Sequence, residues 1–307
     1  MTTGLFSKFS PPCRSGQTDP FSIDFKATQR ALAALLPFRS DLIEAVARQL
    51  AGCCLVVSDI APLGIEAAVI AGIPSVLLEN FTWDHIYEYF LARQPFLGKW
   101  CSLLSRSFAR ADYRIQTEPL CLRINDADLL VGPVSRPPKL AGDQVRRALS
   151  IDANRKMVLI SLGGFPWLMP DIDAKAALFP DTTFVVPSDK KHAGRRENIV
   201  ILPRRIGISH ADIVHQADAL ICKAGYSTLA EGYCAGVPVA AFVRDDYPET
   251  PALAAFVEQT MGGICLLPGS MEDGSWIAAV PGLLEQDRQP ARQSAACEVA
   301  RFLLDLL

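Results

Sequence analysis

Short runs of aliphatic and β-branched residues recur along this chain, each ending in a turn and followed by a stretch with helical character. Leu55-Val-Val stops at Ser58-Asp59, and a helix is expected over 64–71. Gly72 ends it and Pro74 opens a second strand, Ser75-Val-Leu-Leu. Connections of two to six residues between strand, helix and strand are the mark of βαβ units, whose parallel sheet is covered on both faces. The alternation restarts at Met157-Val-Leu-Ile-Ser and runs through Thr183-Phe-Val-Val, Ile199-Val-Ile-Leu, a helix over 208–216, Ala219-Leu-Ile-Cys, a helix over 227–235 and Val237-Pro-Val-Ala-Ala-Phe-Val.

The rest of the chain frames these two halves. Residues 1–30 read as irregular. Ser40 is expected to cap a helix over 40–50, further helices are expected over 84–93 and 98–110, and Tyr113-Arg-Ile-Gln-Thr reads as a strand. The Pro- and Gly-rich stretch 132–142 has the composition of an interdomain linker. The expected fold is α/β: two Rossmann-like lobes, 1–140 and 152–290, with a cleft between them, then an amphipathic C-terminal helix over 291–307. Ala71-Gly-Ile-Pro74 and Ala235-Gly-Val-Pro238 echo one another, each after a helix carrying an acid, Glu66 or Glu231. Either this is a trace of internal repetition, or it is shared punctuation, since glycine suits a helix end and proline a strand entry.

With 307 residues, half of them hydrophobic, the chain can build two ordinary cores. A net charge of −3 without a basic run argues against nucleic-acid binding. Charges interrupt every apolar stretch before 18 residues, so no transmembrane helix is expected, and the first residues lack the pattern of a signal peptide. Nine cysteines without a C-x-x-C pair read as reduced, buried thiols in a cytoplasmic protein.

The segment Cys222-Lys-Ala-Gly-Tyr-Ser-Thr-Leu-Ala-Glu-Gly is the most informative chemically. A strand ends, glycine permits a tight turn, and hydroxyl residues open a helix whose unpaired N–H groups and dipole favour an anion. Gly225 lets a phosphate approach the backbone, Ser227 and Thr228 offer hydroxyls, Lys223 adds positive charge, and Glu231 can accept from a ribose diol. The competing reading is structural: Ser227 or Thr228 caps its own helix and Glu231 completes the capping arrangement. Gly163-Gly164 follows another strand and is a second candidate loop, for a phosphate or facing the acceptor, while Arg244-Asp-Asp-Tyr-Pro-Glu-Thr-Pro leaves a strand's carboxyl end, where open α/β sheets bind ligands. Asp59, Asp84 and His85 follow strand ends in the first half and are candidate general bases, with Asp84 equally a helix cap. His210 and His215, five apart, share no helix face and are read as structural; no arrangement of side chains suggests a metal site.

Taken together, these motifs resemble glycosyltransferases of the two-Rossmann-domain type, GT-B. The C-terminal half is similar to the family that includes the UDP-N-acetylglucosamine transferase of peptidoglycan synthesis, through Leu162-Gly-Gly164, Lys223-Ala-Gly-Tyr-Ser-Thr228, Glu231 and Ala235-Gly-Val-Pro238. A closer resemblance is to the glycosyltransferase-like N-terminal module of plant arabinokinases and its bacterial relatives. It rests on Val57-Ser-Asp59, Asn80-Phe-Thr-Trp-Asp84, Gly225-Tyr226, Arg244-Asp-Asp-Tyr247 and Glu249, and covers roughly residues 40–285. The resemblance implies a nucleotide-sugar donor, a UDP-sugar first, an acceptor of unknown identity, and no bound metal, because the helix dipole and nearby donors stabilise the leaving diphosphate. It places Gly225, Ser227 and Thr228 on the diphosphate, Glu231 on the ribose, Glu249 and Thr250 on the donor sugar, and the segment at Ile206 beside the base. Such families begin with a strand and a Gly-rich turn that this chain lacks; roughly 40–50 residues of a βαβ unit are missing by that measure. The alternatives are a non-catalytic sugar-nucleotide-binding module and a nucleotide-sugar epimerase or hydrolase on the same fold. No sugar-kinase segment follows, so kinase activity is not implied.

Overall fold

The structure, a computed structural model, describes residues 16–17, 21–163, 169–188, 193–203 and 207–307. The chain divides into two units, Met1–Gly132 with Cys297–Leu307, and Pro133–Ala296. Each unit has its own mainly parallel sheet.

In the first unit a short antiparallel ladder, β1 (Gly16–Gln17) with β2 (Ile23–Asp24), leads into α1 (Phe25–Leu35). Reading 1–30 as irregular overlooks this helix. Asp24 caps it, accepting from Ala27 N at 2.8 Å, and Thr28 and Leu32 are buried one turn apart. α2 (Ser40–Gln49) starts one residue earlier than expected: Arg39 is the cap position without a side-chain cap, and Ser40 is already helical. Then come β3 (Val56–Asp59), α3 (Pro62–Ala71), β4 (Ser75–Glu79), α4 (Trp83–Glu88), α5 (Gly98–Phe108), β5 (Tyr113–Thr117) and β6 (Leu129–Val131). The four strands lie in the order β3-β4-β5-β6, all parallel. The C-terminal helix (Ala296–Asp305) sets Phe302 edge-on to Tyr113, with ring centres 6.3 Å apart.

The second unit opens where a linker was expected. Residues 133–140 are instead anchored within it: Val134 N donates to the Tyr226 hydroxyl at 3.0 Å, Ser135 N to Ser294 Oγ at 2.9 Å, and Leu140 N to Asp212 Oδ1 at 2.8 Å. The boundary therefore falls at Gly132 rather than at 140. Next are α6 (Gln144–Ala148), β7 (Lys156–Ser161), α7 (Ile172–Ala176), β8 (Thr182–Ser188), β9 (Gly194–Arg196), β10 (Ile199–Pro203) and α8 (His210–Gln216). β11 (Ala219–Lys223), α9 (Tyr226–Ala235), β12 (Val239–Phe242), α10 (Thr250–Ala255), β13 (Ile264–Leu266), α11 (Gly269–Glu272) and α12 (Ala279–Glu285) complete it. The sheet order is β13-β12-β11-β7-β8-β10-β9, with only β9 antiparallel to its neighbour.

β7, β11 and β12 are apolar on both faces, as a doubly covered parallel sheet requires. From β7 the chain adds strands outward on one side, then returns to place β11 on the other. The order therefore reverses between β7 and β11, which is where such sheets open a crevice at their carboxyl ends.

Gly72 and Gly236 end α3 and α9 in the left-handed region, and the next residue's N–H reaches back in the same way, Ile73 to Ala68 O and Val237 to Gly232 O. The two echoing segments thus share helix-end punctuation. Their acids diverge: Glu66 pairs with Arg110 at 2.6 Å, whereas Glu231 turns inward. Among the described cysteines only Cys222 and Cys234 are buried, so uniform burial does not hold. Burial pushes the Cys222 thiol up to about 12.

Asp212 ties this unit together. Buried in the first turn of α8, it accepts from Lys139 N, Leu140 N, Ser209 N and the Ser209 hydroxyl. Burial alone would raise its carboxyl; the hydrogen bonds outweigh that and hold it below the usual carboxylate range. A lowered native value means its contribution is complete above the unfolded value of about 3.9 and is lost as the pH falls through the native one. Asp212→Asn should cost about 1.5–3 kcal/mol near neutrality, and melting curves from pH 7 down to acid should converge with those of the wild type.

Candidate functional site at the β7–β11 switch point

Cys222 lies opposite Ser161 in the β11–β7 register, so the two strands deliver Leu162-Gly163 and Ala224-Gly225 to the same end of the sheet. Gly163 is exposed, with φ at +67°. Its partner Gly164, and Ile206, lie outside the described residues. Lys223 is the last residue of β11 and half-buried.

α9 begins at Tyr226 with Gly225 in the cap position, and among the described residues no side chain caps it. This removes the capping alternative. Ser227 and Thr228 sit inside the first turn rather than before it, and Glu231 makes its hydrogen bond elsewhere. Gly225 is extended, with φ −159°, and a β-carbon there would meet nothing nearer than Lys223 O at 3.9 Å. Packing among the described residues therefore gives no reason for glycine at 225. The contrast is Gly236, where φ is +67° and a β-carbon would fall 2.1 Å from Gln289 O. Ser227 is exposed and Thr228 nearly buried beside the uncapped N–H groups of the first turn, which favour an anion.

Glu231, 8% exposed, accepts at Oε2 from His210 Nδ1, and the other ring nitrogen of His210 lies 2.8 Å from Ser161 Oγ. Sequence spacing placed His210 among structural histidines; the structure sets it between Ser161 and Glu231. Ser209 caps α8 in a reciprocal box with Asp212 and so fixes where His210 starts the helix. Only long-range contacts, 49 and 21 residues apart in sequence, reveal this role.

The loop after β12 holds Arg244 over the Tyr247 ring at 4.2 Å, and Glu249 and Thr250 open α10. Thr250 N donates to Tyr247 O at 3.0 Å.

In the first unit, Asp59 ends β3, while Asp84 and His85 lie in α4, which follows the adjacent strand β4. Asp59 is open to solvent at the strand end, yet the protein crowding its other sides pushes its carboxyl above the usual range. Asp84 is not a cap; Thr82 holds that position, again without a side-chain bond. Asp84 Oδ1 and Glu79 Oε2 are buried without hydrogen-bond partners among the described residues. Burial raises the Glu79 carboxyl against the pull of Arg114 at 3.6 Å and a 3.3 Å bond from Gln116. The sequence reading passed over Glu79, whose place at the end of β4 was its one signal. Trp83 stacks on Tyr87 and meets Phe81 edge-on. Among the described residues no group of three acids, histidines or cysteines could hold a metal ion, and no helix is long and apolar enough to cross a membrane.

This is the fold of GT-B glycosyltransferases. The glycosyltransferase of kitacinnamycin superposes over 94% of this chain and 82% of its own, with a TM-score of 0.58 and 18% identity. The spinosyn rhamnosyltransferase SpnG complexed with thymidine diphosphate does so over 86% and 75%, with a TM-score of 0.50 and 16% identity. In sequence the chain resembles L-arabinokinase of Arabidopsis thaliana, 26% identical over 276 residues, which is 86% of this chain. It spans about a quarter, 26%, of that enzyme's length. No family model matches.

The two glycines separate folding from binding. Gly236→Ala should cost at least about 2 kcal/mol, through clash and a disfavoured φ. Gly225→Ala should stay within about 1 kcal/mol of the wild type. Thermal melts of the two variants check this; a large loss in Gly225→Ala would return that glycine to a structural role.

Proposed function

We propose that this chain is a glycosyltransferase that takes a nucleoside-diphosphate sugar, a UDP-sugar first, and transfers the sugar to an acceptor hydroxyl. The observation that carries the reading is the uncapped start of α9 at the switch point, with Gly225 left open and a buried acid, Glu231, one turn further on. A structural neighbour of the same fold holds thymidine diphosphate, which supports a nucleoside diphosphate as the ligand class. Uridine rests on the similarity of 223–231 to the peptidoglycan N-acetylglucosamine transferase.

In this reading the diphosphate lies on the N–H groups of the first turn of α9 and the Ser227 and Thr228 hydroxyls, with Lys223 adding charge. Gly163, after β7, serves the phosphates, Glu231 takes the ribose, and Glu249 and Thr250 take the sugar; the resemblance assigns Gly164 to the phosphates and Ile206 to the base. The acceptor oxygen attacks the anomeric carbon as the bond to the diphosphate oxygen breaks. The leaving nucleoside diphosphate keeps the electron pair, and the helix start stabilises its charge without a metal. The acceptor's proton passes to a general base. Asp59, raised toward the working pH, is the first candidate, and Asp84 and His85 are the others.

Two measurements test this. Thr228→Ala should weaken UDP and inorganic diphosphate alike, by about 1.5–3 kcal/mol, whereas Glu231→Gln should weaken UDP and leave inorganic diphosphate unchanged. Unaltered UDP affinity in both variants, by calorimetric titration, would end the donor-site assignment. Asp59→Asn should lower kcat by roughly 10²–10⁴ with donor affinity retained. Wild-type kcat should rise with pH through a value above the ordinary carboxylate range, because the base works deprotonated.

A further inference from the structure

We propose that His210 is a positioning residue that holds Glu231 as an acceptor-only carboxylate, and that this contact makes the donor site select ribonucleotides over 2′-deoxyribonucleotides. The inference rests on the donor-site reading above and concerns how that site tells one sugar from another.

Three elements fix the relay. Ser161 ends β7, a central strand; His210 is the first residue of α8; Glu231 lies in the second turn of α9. The capping box of Ser209 and Asp212 holds the backbone at His210, and Asp212 is itself held by the N–H groups of Lys139 and Leu140. Nδ1 faces the Glu231 carboxylate and Nε2 lies 2.8 Å from Ser161 Oγ; with the ring proton on Nδ1, donated to Glu231 Oε2, Nε2 accepts from the Ser161 hydroxyl. That N–H holds the carboxylate turned one way. Oε1 engages no described residue, and Oε2 retains a second lone pair. The buried carboxylate therefore presents acceptors only.

A ribose cis-diol supplies the two O–H donors such a group wants. A 2′-deoxyribose replaces one of them with a methylene and leaves a charged acceptor unmatched. Losing one hydrogen bond to a charged group corresponds to roughly tenfold or more in affinity. Without the imidazole, Glu231 is free to turn toward water and the distinction fades.

The test is calorimetric titration of the full chain with UDP, ADP and GDP, their 2′-deoxy counterparts and inorganic diphosphate. The wild type should favour the ribonucleotide of its preferred base at least about tenfold over the deoxy form. His210→Ala should reduce that ratio to below about threefold, chiefly by weakening the ribonucleotide, with inorganic diphosphate unchanged. His210→Asn, whose amide N–H can replace Nδ1–H, should restore most of the ratio. Ser161→Ala, which leaves Nε2 without its donor, should lower the ratio in the same direction and carries the test if His210→Ala does not melt cooperatively. An unchanged ratio in these variants, or an equal loss for inorganic diphosphate, overturns the inference while leaving the donor site standing. A folded wild type that binds none of the nucleotides overturns the donor reading, and this inference with it.

Discussion

The pairing of β7 with β11 is the constraint on which the second unit turns. These strands are neighbours in the sheet but far apart in the chain, and their connections leave in opposite directions. α9 therefore starts at the carboxyl ends of these strands, with no side-chain cap among the described residues. The apolar runs of β7, β11 and β12 bury this arrangement on both faces, so the turn at Gly225 is set by a rigid sheet. A helix start placed this way favours an anion before any ligand arrives.

Around that pairing, polar contacts fix what apolar packing leaves free. Asp212 gathers residues 139–140 and the Ser209 cap; Tyr226 accepts from Val134; His210 joins Ser161 to Glu231. These contacts link segments distant in sequence, and all bear on the start of α8 or α9. The same groups that hold the entry segment of this unit therefore also hold its candidate site. In the first unit, at the ends of β3 and β4, burial raises the carboxyls of Asp59 and Glu79 above the usual range.

The alternation of strand and helix was legible in sequence because two-sided burial writes itself as short continuous apolar runs, and because glycine at 72 and 236 marks helix ends that only a positive φ satisfies. The glycine at 225 was legible as a candidate for phosphate approach, though only the structure shows that no contact with a described residue requires it. α1 was missed although Asp24 and the spacing of Thr28 and Leu32 announce it, because the prolines before it drew the reading toward irregular chain. The stretch 132–142 has a linker's composition, but its N–H groups are satisfied by side chains some 70 to 160 residues away, which no local pattern encodes. His210 was set aside for the same reason. Spacing against His215 excluded a shared metal, and its actual partners are defined only by the fold.

The central claim is that a nucleoside diphosphate sits at the β7–β11 switch point. Amide hydrogen exchange with and without saturating UDP reads this directly on the unmodified chain. Protection should rise in peptides spanning 161–163, 208–212 and 224–232, strongest over 225–229, with peptides around 56–59 and 80–85 unchanged by UDP alone. Unchanged exchange over 224–232 in the presence of bound UDP, or protection confined to the first unit, would contradict the account.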